Sequence, residues 1–364
     1  MKFKGLQTLD WYIIRKFLTT FFMSLLLIVG IVIIFDVSER IEDFVRREAP
    51  LHAIIFDYYL NYIPYFMNMY SPMFVFLTVI IFTSKMTQDS EIIAILSSGI
   101  SYHRMVVPYM VSAVFIALLS LGLGLWVIPK ANGPRVAFEQ KYIPRTKAHS
   151  GRDMHYKLEN NRYVYIESFS GYNNTAYNFT LEDISDGQLH SKLSAESAQY
   201  DTLTGVWKLR NWFIRDYTGG MEDRIRSGRQ MDTVLSLTRD DFFRNKYTIQ
   251  RLDERELDQL IETQTQRGDA SVSTALIEKN NRFSLPFSAI ILTIIGLSLS
   301  TKKKRGGMGW NLAAGLALGF SYILFMQFSE MFVMTDTLPA SIAIWLPNYL
   351  YAVIAAVLYI KAPK

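Results

Sequence analysis

The side chains that most often do chemistry are present but not assembled for catalysis. The five histidines, His52, His103, His149, His155 and His190, are scattered, with no H-E-x-x-H pair and no metal-ligand spacing. No G-x-S-x-G elbow presents a nucleophilic serine, and with no cysteine there is no thiol chemistry and no disulfide. Asp240 and Asp241 are adjacent, which in a strand sends them to opposite faces and in a loop marks a solvated turn. No G-x-x-x-x-G-K-[ST] occurs, so the chain holds no ATP through a P-loop of its own. What stands out is the segment "TQDSEIIAILSSG", which reads as a short helix over about residues 87–99. Thr87 or Asp89 is placed to cap it, and Glu91 in its first turn suits the positive end of the helix dipole. Ile92, Ile95 and Leu96 share one face by i, i+3, i+4 spacing, and Gly99 is placed to end it. The other face carries Ala94, Ser97 and Ser98, small enough for close approach by a protein. A helix resting on anionic lipid would instead carry a basic face. The chemistry on offer is recognition of a partner, not bond breaking.

The elements that must position this helix are membrane spans. The 364 residues are 50% hydrophobic, and six runs without Asp, Glu, Lys or Arg are long enough to cross a bilayer. They are Phe17 to Phe35, Tyr58 to Ser84, Met105 to Ile128, Phe283 to Thr301, Gly306 to Ser329 and Thr337 to Ile360. Each approaches or exceeds the roughly 20 residues that a spanning helix needs. The plan is an N-terminal membrane half (1–128), a polar block (129–282) and a C-terminal membrane half (283–364). The first run lacks a small-residue cleavage site after it and reads as a retained span.

Orientation follows the bases. Lys2, Lys4, Arg15 and Lys16, the "KKKR" of Lys302 to Arg305, and Lys361 with Lys364 all fall on one face, the cytoplasmic one. Both termini and the short helix are then cytoplasmic, and the polar block is outside. Arg40, Arg46 and Arg47 in the first outer loop depart from this rule and call for an explanation. Within the block, "NRYVYIESFS" alternates, with Tyr163 and Tyr165 on one face and Val164 and Ile166 on the other. Further alternating segments separated by Asp-Gly, Thr-Gly and Gly-Gly turns predict an all-β sandwich or open barrel. A helical stretch with Leu257, Leu260 and Ile261 leads back to the membrane.

The segment "DSEIIAILSSGISYHRMVVP" resembles the coupling region of the lipopolysaccharide export permeases, the LptF/LptG (YjgP/YjgQ) family. The likeness continues through "DWYIIRKFLTTFF", "WVIPKANGPRVAFE", "RYVYIE", "AESAQYDTLTGVWKL" and "EKNNRFSLPFSAIILTIIGLSLS". It implies a six-span α-helical membrane protein of the bacterial inner membrane with an inserted periplasmic β-jellyroll. It also implies a non-catalytic ABC-type subunit. Two such permeases would sit on an LptB-like ATPase dimer and pass lipopolysaccharide to an LptC-like periplasmic bridge. No cofactor is expected on this chain, ATP and Mg being held by the ATPase. Glu91, with Ile92, Ile95, Leu96 and Gly99, would form the ATPase-coupling helix, and the first and fifth spans would form lateral gates.

The substrate so implied carries phosphates on an acylated sugar core. Arg40, Arg46 and Arg47 outside span one, and Lys130 and Arg135 outside span three, are the expected phosphate contacts. The competing reading pairs the three loop arginines with Glu39, Glu42, Asp43 and Glu48. Family members often place a lysine at the outer end of span one, where this chain has Asp36, with Arg40 one turn on. Glu330, near the outer end of span five, is a further ionisable candidate. Two other functions compete with export. An ion-coupled secondary transporter would need acids or histidines deep in the spans, which their centres lack. A structural anchor for the outer domain leaves the capped cytoplasmic helix without a purpose.

Overall fold

A computed structural model describes residues 7–143, 152–158, 161–171, 173–185, 187–217, 223–237, 246–269, 271–301 and 307–362. The KKKR loop, Asp240 and Asp241, and His149 lie outside the described residues. The chain divides into two compact units, Met1–Ile143 with Leu276–Lys364, and Pro144–Ala275.

Among the described residues, the first unit holds six helices long and apolar enough to cross a membrane. They are α1 (Thr8–Arg46), α2 (Leu51–Gln88), α4 (Tyr102–Tyr142), α7 (Val272–Ser300), α8 (Gly307–Met334) and the broken pair α9 (Ala340–Ala343) and α10 (Leu346–Ile360). Between α2 and α4 lies the short α3 (Glu91–Ser97). Several helices outrun their apolar runs. At 39 residues α1 is about 58 Å long, nearly twice the ~30 Å hydrocarbon core. Its last turns therefore carry Asp36 to Arg46 past the apolar layer as helix rather than loop. Likewise α4 continues through Lys130 and Arg135 to Tyr142, so these bases sit on a helix with 3.6-residue spacing. The membrane unit thus extends beyond residue 128 and resumes before residue 283. Wide π-type turns interrupt α2 at Ile54–Tyr59 and α4 at Leu123–Val127.

One apolar core joins α1, α2, α3 and α4 through Phe17, Phe21, Phe82, Met86, Ile92 and Met105. A second joins α2, α7, α8 and α10 through Phe76, Ile80, Ile295, Tyr322 and Tyr351. Both α1 and α8 leave broad apolar faces uncovered, Leu26, Leu27, Ile34 and Phe35 on the former, Leu324, Phe328 and Met331 on the latter.

At Gly315 an added Cβ would run into Ile80 Cδ1, whose side chain is fully buried. Glycine here lets α8 lie against α2. Gly315→Ala is expected to destabilise the membrane unit by about 1–3 kcal/mol through overpacking. Adding Ile80→Val, which removes the clashing methyl, is expected to recover part of that loss. Thermal unfolding of both variants in detergent checks this; equal losses would show that the clash is not the cause.

The second unit is built on six antiparallel strands: β1 (Arg152–Lys157), β2 (Arg162–Ser170), β3 (Thr175–Ser185), β4 (Gln188–Asp201), β5 (Val206–Asp216) and β6 (Arg224–Thr233). They pair in chain order, so the described strands form a meander. Alternation settles which face is inside. Val164 and Ile166 are buried with Phe169, Phe179, Leu193, Trp207 and Leu209, while Tyr163 and Tyr165 turn outward. Trp207 is fully buried and its indole N–H donates to the Leu237 carbonyl at 3.0 Å, satisfying its one polar atom. Helices α5 (Lys246–Gln250) and α6 (Glu254–Arg267) follow. Leu257 and Leu260 pack with Ile249 and Ala275, and Asp253 and Glu256 close a capping box at the start of α6.

Candidate functional site

Helix α3 occupies the end of the membrane unit where α1 begins, α2 ends and α4 begins. Its boundaries differ from the expected caps. Lys85, Met86, Thr87 and Gln88 continue α2, because Met86 is buried in the core and Thr87 bonds across to α7. The Thr87 hydroxyl lies 2.7 Å from the Ser300 carbonyl, and Asp89 caps the end of α2 rather than the start of α3. Ser90, with φ of 66°, makes the sharp corner between the two helices. Glu91 is thus the first residue of α3. Ile92 is 0% exposed within the core of α1, α2 and α4, and Ile95 and Leu96 pack against that core. Ala94, Ser97 and Ser98 face outward, and Gly99 ends the helix at φ 88°, where a side chain would be strained.

Two contacts bind α1 to this corner. The Glu91 carboxylate accepts from the Tyr12 hydroxyl at 2.9 Å and pairs with Lys16 Nζ at 3.3 Å. Lys16 Nζ in turn donates to the Tyr12 hydroxyl at 2.8 Å. Side-chain exposures of 24% and 33% put this pair in reach of water, so it is worth only about 0–1 kcal/mol. The second contact is stronger. Arg104 at the start of α4 grips Asp10 with both terminal guanidinium nitrogens, at 2.7 Å for Nη1, and Asp10 is 2% exposed. Bidentate geometry against a buried carboxylate makes a durable joint. So Asp10–Arg104 joins α1 to α4, while the weaker contacts of Glu91 join α3 to α1 and leave that carboxylate open to exchange. Sequence reasoning misses Tyr12, Lys16, Asp10 and Arg104 as members of this site. Their only signal there is the presence of charges inside "DWYIIRK" and "YHRM".

At the opposite end of α1 the expected phosphate contacts separate. Arg40 Nε pairs with Asp36 at 2.8 Å, and the guanidinium lies 5.8 Å from the Tyr58 ring centroid. Asp36 also accepts from the Tyr58 and Tyr59 hydroxyls, at 3.4 and 3.0 Å, both carried on the π-type turn of α2. Arg135 is 4% exposed, donates to Glu139 at 2.9 Å, and is stacked over Tyr62 and Tyr65. Arg46 pairs with Glu42 in the open, and Arg47 donates to the Lys141 carbonyl at 3.1 Å. Lys130 is exposed. Of the loop pairings expected in the competing reading, Arg46–Glu42 is present, whereas Arg40 turns to Asp36 because i and i+4 meet on a helix that continues past it. Glu330 accepts from Asn281 Nδ2 at 3.0 Å, which ties α8 to α7.

The family model for "Lipopolysaccharide export system permease LptF/LptG" matches residues 11–361. The chain belongs to the LptF/LptG family. Among curated relatives it is similar to the lipopolysaccharide export system permease protein LptG of Escherichia coli K12, at 22% identity over 202 residues. The same protein of Escherichia coli O6:H1 (strain CFT073) matches over the same extent. Each match takes in 55% of this chain and spans 56% of the relative's length. Family membership accounts for the joint presence of six apolar helices and a six-stranded antiparallel sheet between the third and fourth of them.

Proposed function

We propose that this LptF/LptG-family chain is the membrane permease subunit of an ATP-driven lipopolysaccharide exporter in the bacterial inner membrane. The observation that carries the reading is α3, a two-turn helix whose inner side is locked into the core of three spans. Its outer side is bare, with Ile93 standing among the small residues Ala94, Ser97 and Ser98. Force applied to such an element moves the spans with it. Glu91 at its tip supplies the carboxylate that a basic residue of an LptB-like ATPase dimer would engage, displacing Lys16. With N- and C-termini cytoplasmic, α3 faces the ATPase and the β unit is periplasmic. ATP and Mg stay on the ATPase; this chain is non-catalytic.

The uncovered apolar faces of α1 and α8 support their role as lateral gates, closed against a paired LptF-like or LptG-like permease. Lipid entering between them meets Arg46, Arg47 and Lys130, the exposed members of the basic set, with Arg40 half-buried behind. Arg135 serves inside the helix bundle instead. The β unit then hands lipopolysaccharide to an LptC-like bridge.

Affinity purification of the tagged chain in mild detergent tests the partnership. A P-loop ATPase and a second six-span chain should co-purify, with ATPase turnover that responds to added lipopolysaccharide. A chain that emerges alone and inert would overturn the reading and leave α3 as an interfacial helix.

A further inference from the structure

We infer that the outward face of the β-sheet carries a recognition site for a saccharide bearing anionic substituents, distinct from the apolar face of the sheet. The inference rests on the lipopolysaccharide reading and specifies where the sugars of that substrate meet the β unit. A cavity of about 550 Å³ opens there, lined by strands β1 to β4 and by the end of α6. Strand register places its key residues in rows. Lys157 stands beside Tyr163, Tyr163 beside Glu182, and Glu182 beside Lys192. The next row sets His155 beside Tyr165 and Tyr165 beside Thr180. Because side chains alternate, this face is the one opposite Val164 and Ile166.

The lining suits a sugar better than an acyl chain. Tyr163 and Tyr165 offer phenol rings, and a hexose presents an apolar C–H face to such a ring with its hydroxyls directed outward. Glu182, Thr180 and the tyrosine hydroxyls can exchange hydrogen bonds with those hydroxyls. Lys157, Lys192 and Arg267 line the cavity together with one carboxylate, Glu182, and Arg267 also donates to the Ser236 carbonyl at 3.1 Å. That acid is already matched by Lys192 at 2.8 Å, and Asp153 at the rim accepts from the Tyr165 hydroxyl at 2.8 Å. Lys157 Nζ lies over the Tyr163 ring, 5.8 Å from its centroid, so a cation stands against the ring with which a sugar would pack. A phosphate or carboxylate on that sugar would reach Lys157. An acyl chain laid here would desolvate the Lys157 ammonium and offer it no hydrogen bond in return. Pockets that combine apolar walls with a few convergent polar groups are where small ligands bind.

The test uses the full chain in detergent and the phosphorylated oligosaccharide obtained by deacylating lipopolysaccharide. Its dephosphorylated form, inorganic phosphate and intact lipopolysaccharide are measured alongside. Lys157→Ala and Tyr163→Ala should each weaken binding of the phosphorylated oligosaccharide by about tenfold, close to the loss of one charged or stacking contact. Lys157→Arg should bind as the parent does, and the dephosphorylated sugar should bind the parent and Lys157→Ala equally. Intact lipopolysaccharide binding with oligosaccharide affinity unchanged in both alanine variants would overturn this inference and leave the exporter reading standing. Inorganic phosphate binding as tightly as the oligosaccharide would overturn the sugar component. Failure of both intact lipopolysaccharide and oligosaccharide to bind would overturn the exporter reading and this inference together.

Discussion

Glu91→Ala is expected to lower lipid export at least tenfold while the complex still assembles and hydrolyses ATP. The expectation follows from where the carboxylate sits. Ile92, Ile95 and Leu96 hold α3 in the core, so its fold does not depend on Glu91. The bond to Lys16 is in reach of water and worth about 0–1 kcal/mol, so losing it costs the membrane unit little. In the assembled exporter the same carboxylate would lie at a protein interface, where truncating one member of a charge pair typically costs about 2–5 kcal/mol. The loss therefore falls on transmission rather than on stability. Lys16→Met supplies the contrast. It frees Glu91 without removing it, and export should stay within a few-fold of the parent. Export and ATPase rates measured in the same vesicles separate the cases. Normal export by Glu91→Ala would remove Glu91 from the coupling path.

The second large effect concerns Arg135. Its guanidinium pairs with Glu139 at 2.9 Å, contacts Asn132 Oδ1 at 3.4 Å and stacks on Tyr62 and Tyr65 while almost wholly enclosed. Arg135→Ala would leave Glu139 buried and without that cation. Breaking a buried pair in this one-sided way costs about 3–5 kcal/mol, whereas replacing both members by apolar residues of similar volume is often neutral. Arg135→Met with Glu139→Leu should therefore unfold at close to the parent temperature, and Arg135→Ala many degrees lower. The double variant carries a second consequence. Since Arg135 is enclosed against Glu139, Tyr62 and Tyr65, lipopolysaccharide binding is expected to survive the double replacement. Parent-like unfolding with lost lipid binding would return Arg135 to the phosphate contacts.

What can be read from the sequence is whatever depends on local pattern. Apolar run length locates six spans, and period-two alternation places Val164 and Ile166 inside and Tyr163 outside. The i, i+3, i+4 spacing identifies the inner face of α3. What cannot be read is where helices end once apolar runs give way to charge. Helix α1 runs on to Arg46 and α4 to Tyr142 because those charges sit at i, i+4 on exposed or paired faces and do not break the backbone. This is also why loop pairings misplace Arg40. On a continuing helix Asp36 and Arg40 are neighbours, a spacing visible in "DVSER" once the helix is granted. The Glu91 partners are a different matter. Lys16 lies 75 positions away, and only the packing of α1 against α3 brings the two together. Asp10 and Arg104, 94 positions apart, meet in the same way.

In the proposed exporter, ATP hydrolysed by a partner drives lipopolysaccharide out of the bilayer through this chain. The purified complex, reconstituted into lipopolysaccharide-loaded vesicles, tests it when lipid released to a periplasmic-type acceptor is counted against ATP hydrolysed. Release that rises with ATP turnover, stops without ATP and ignores an imposed ion gradient is the predicted result. Release driven by an ion gradient in the absence of ATP, or none under either condition, would overturn the proposal of ATP-driven export.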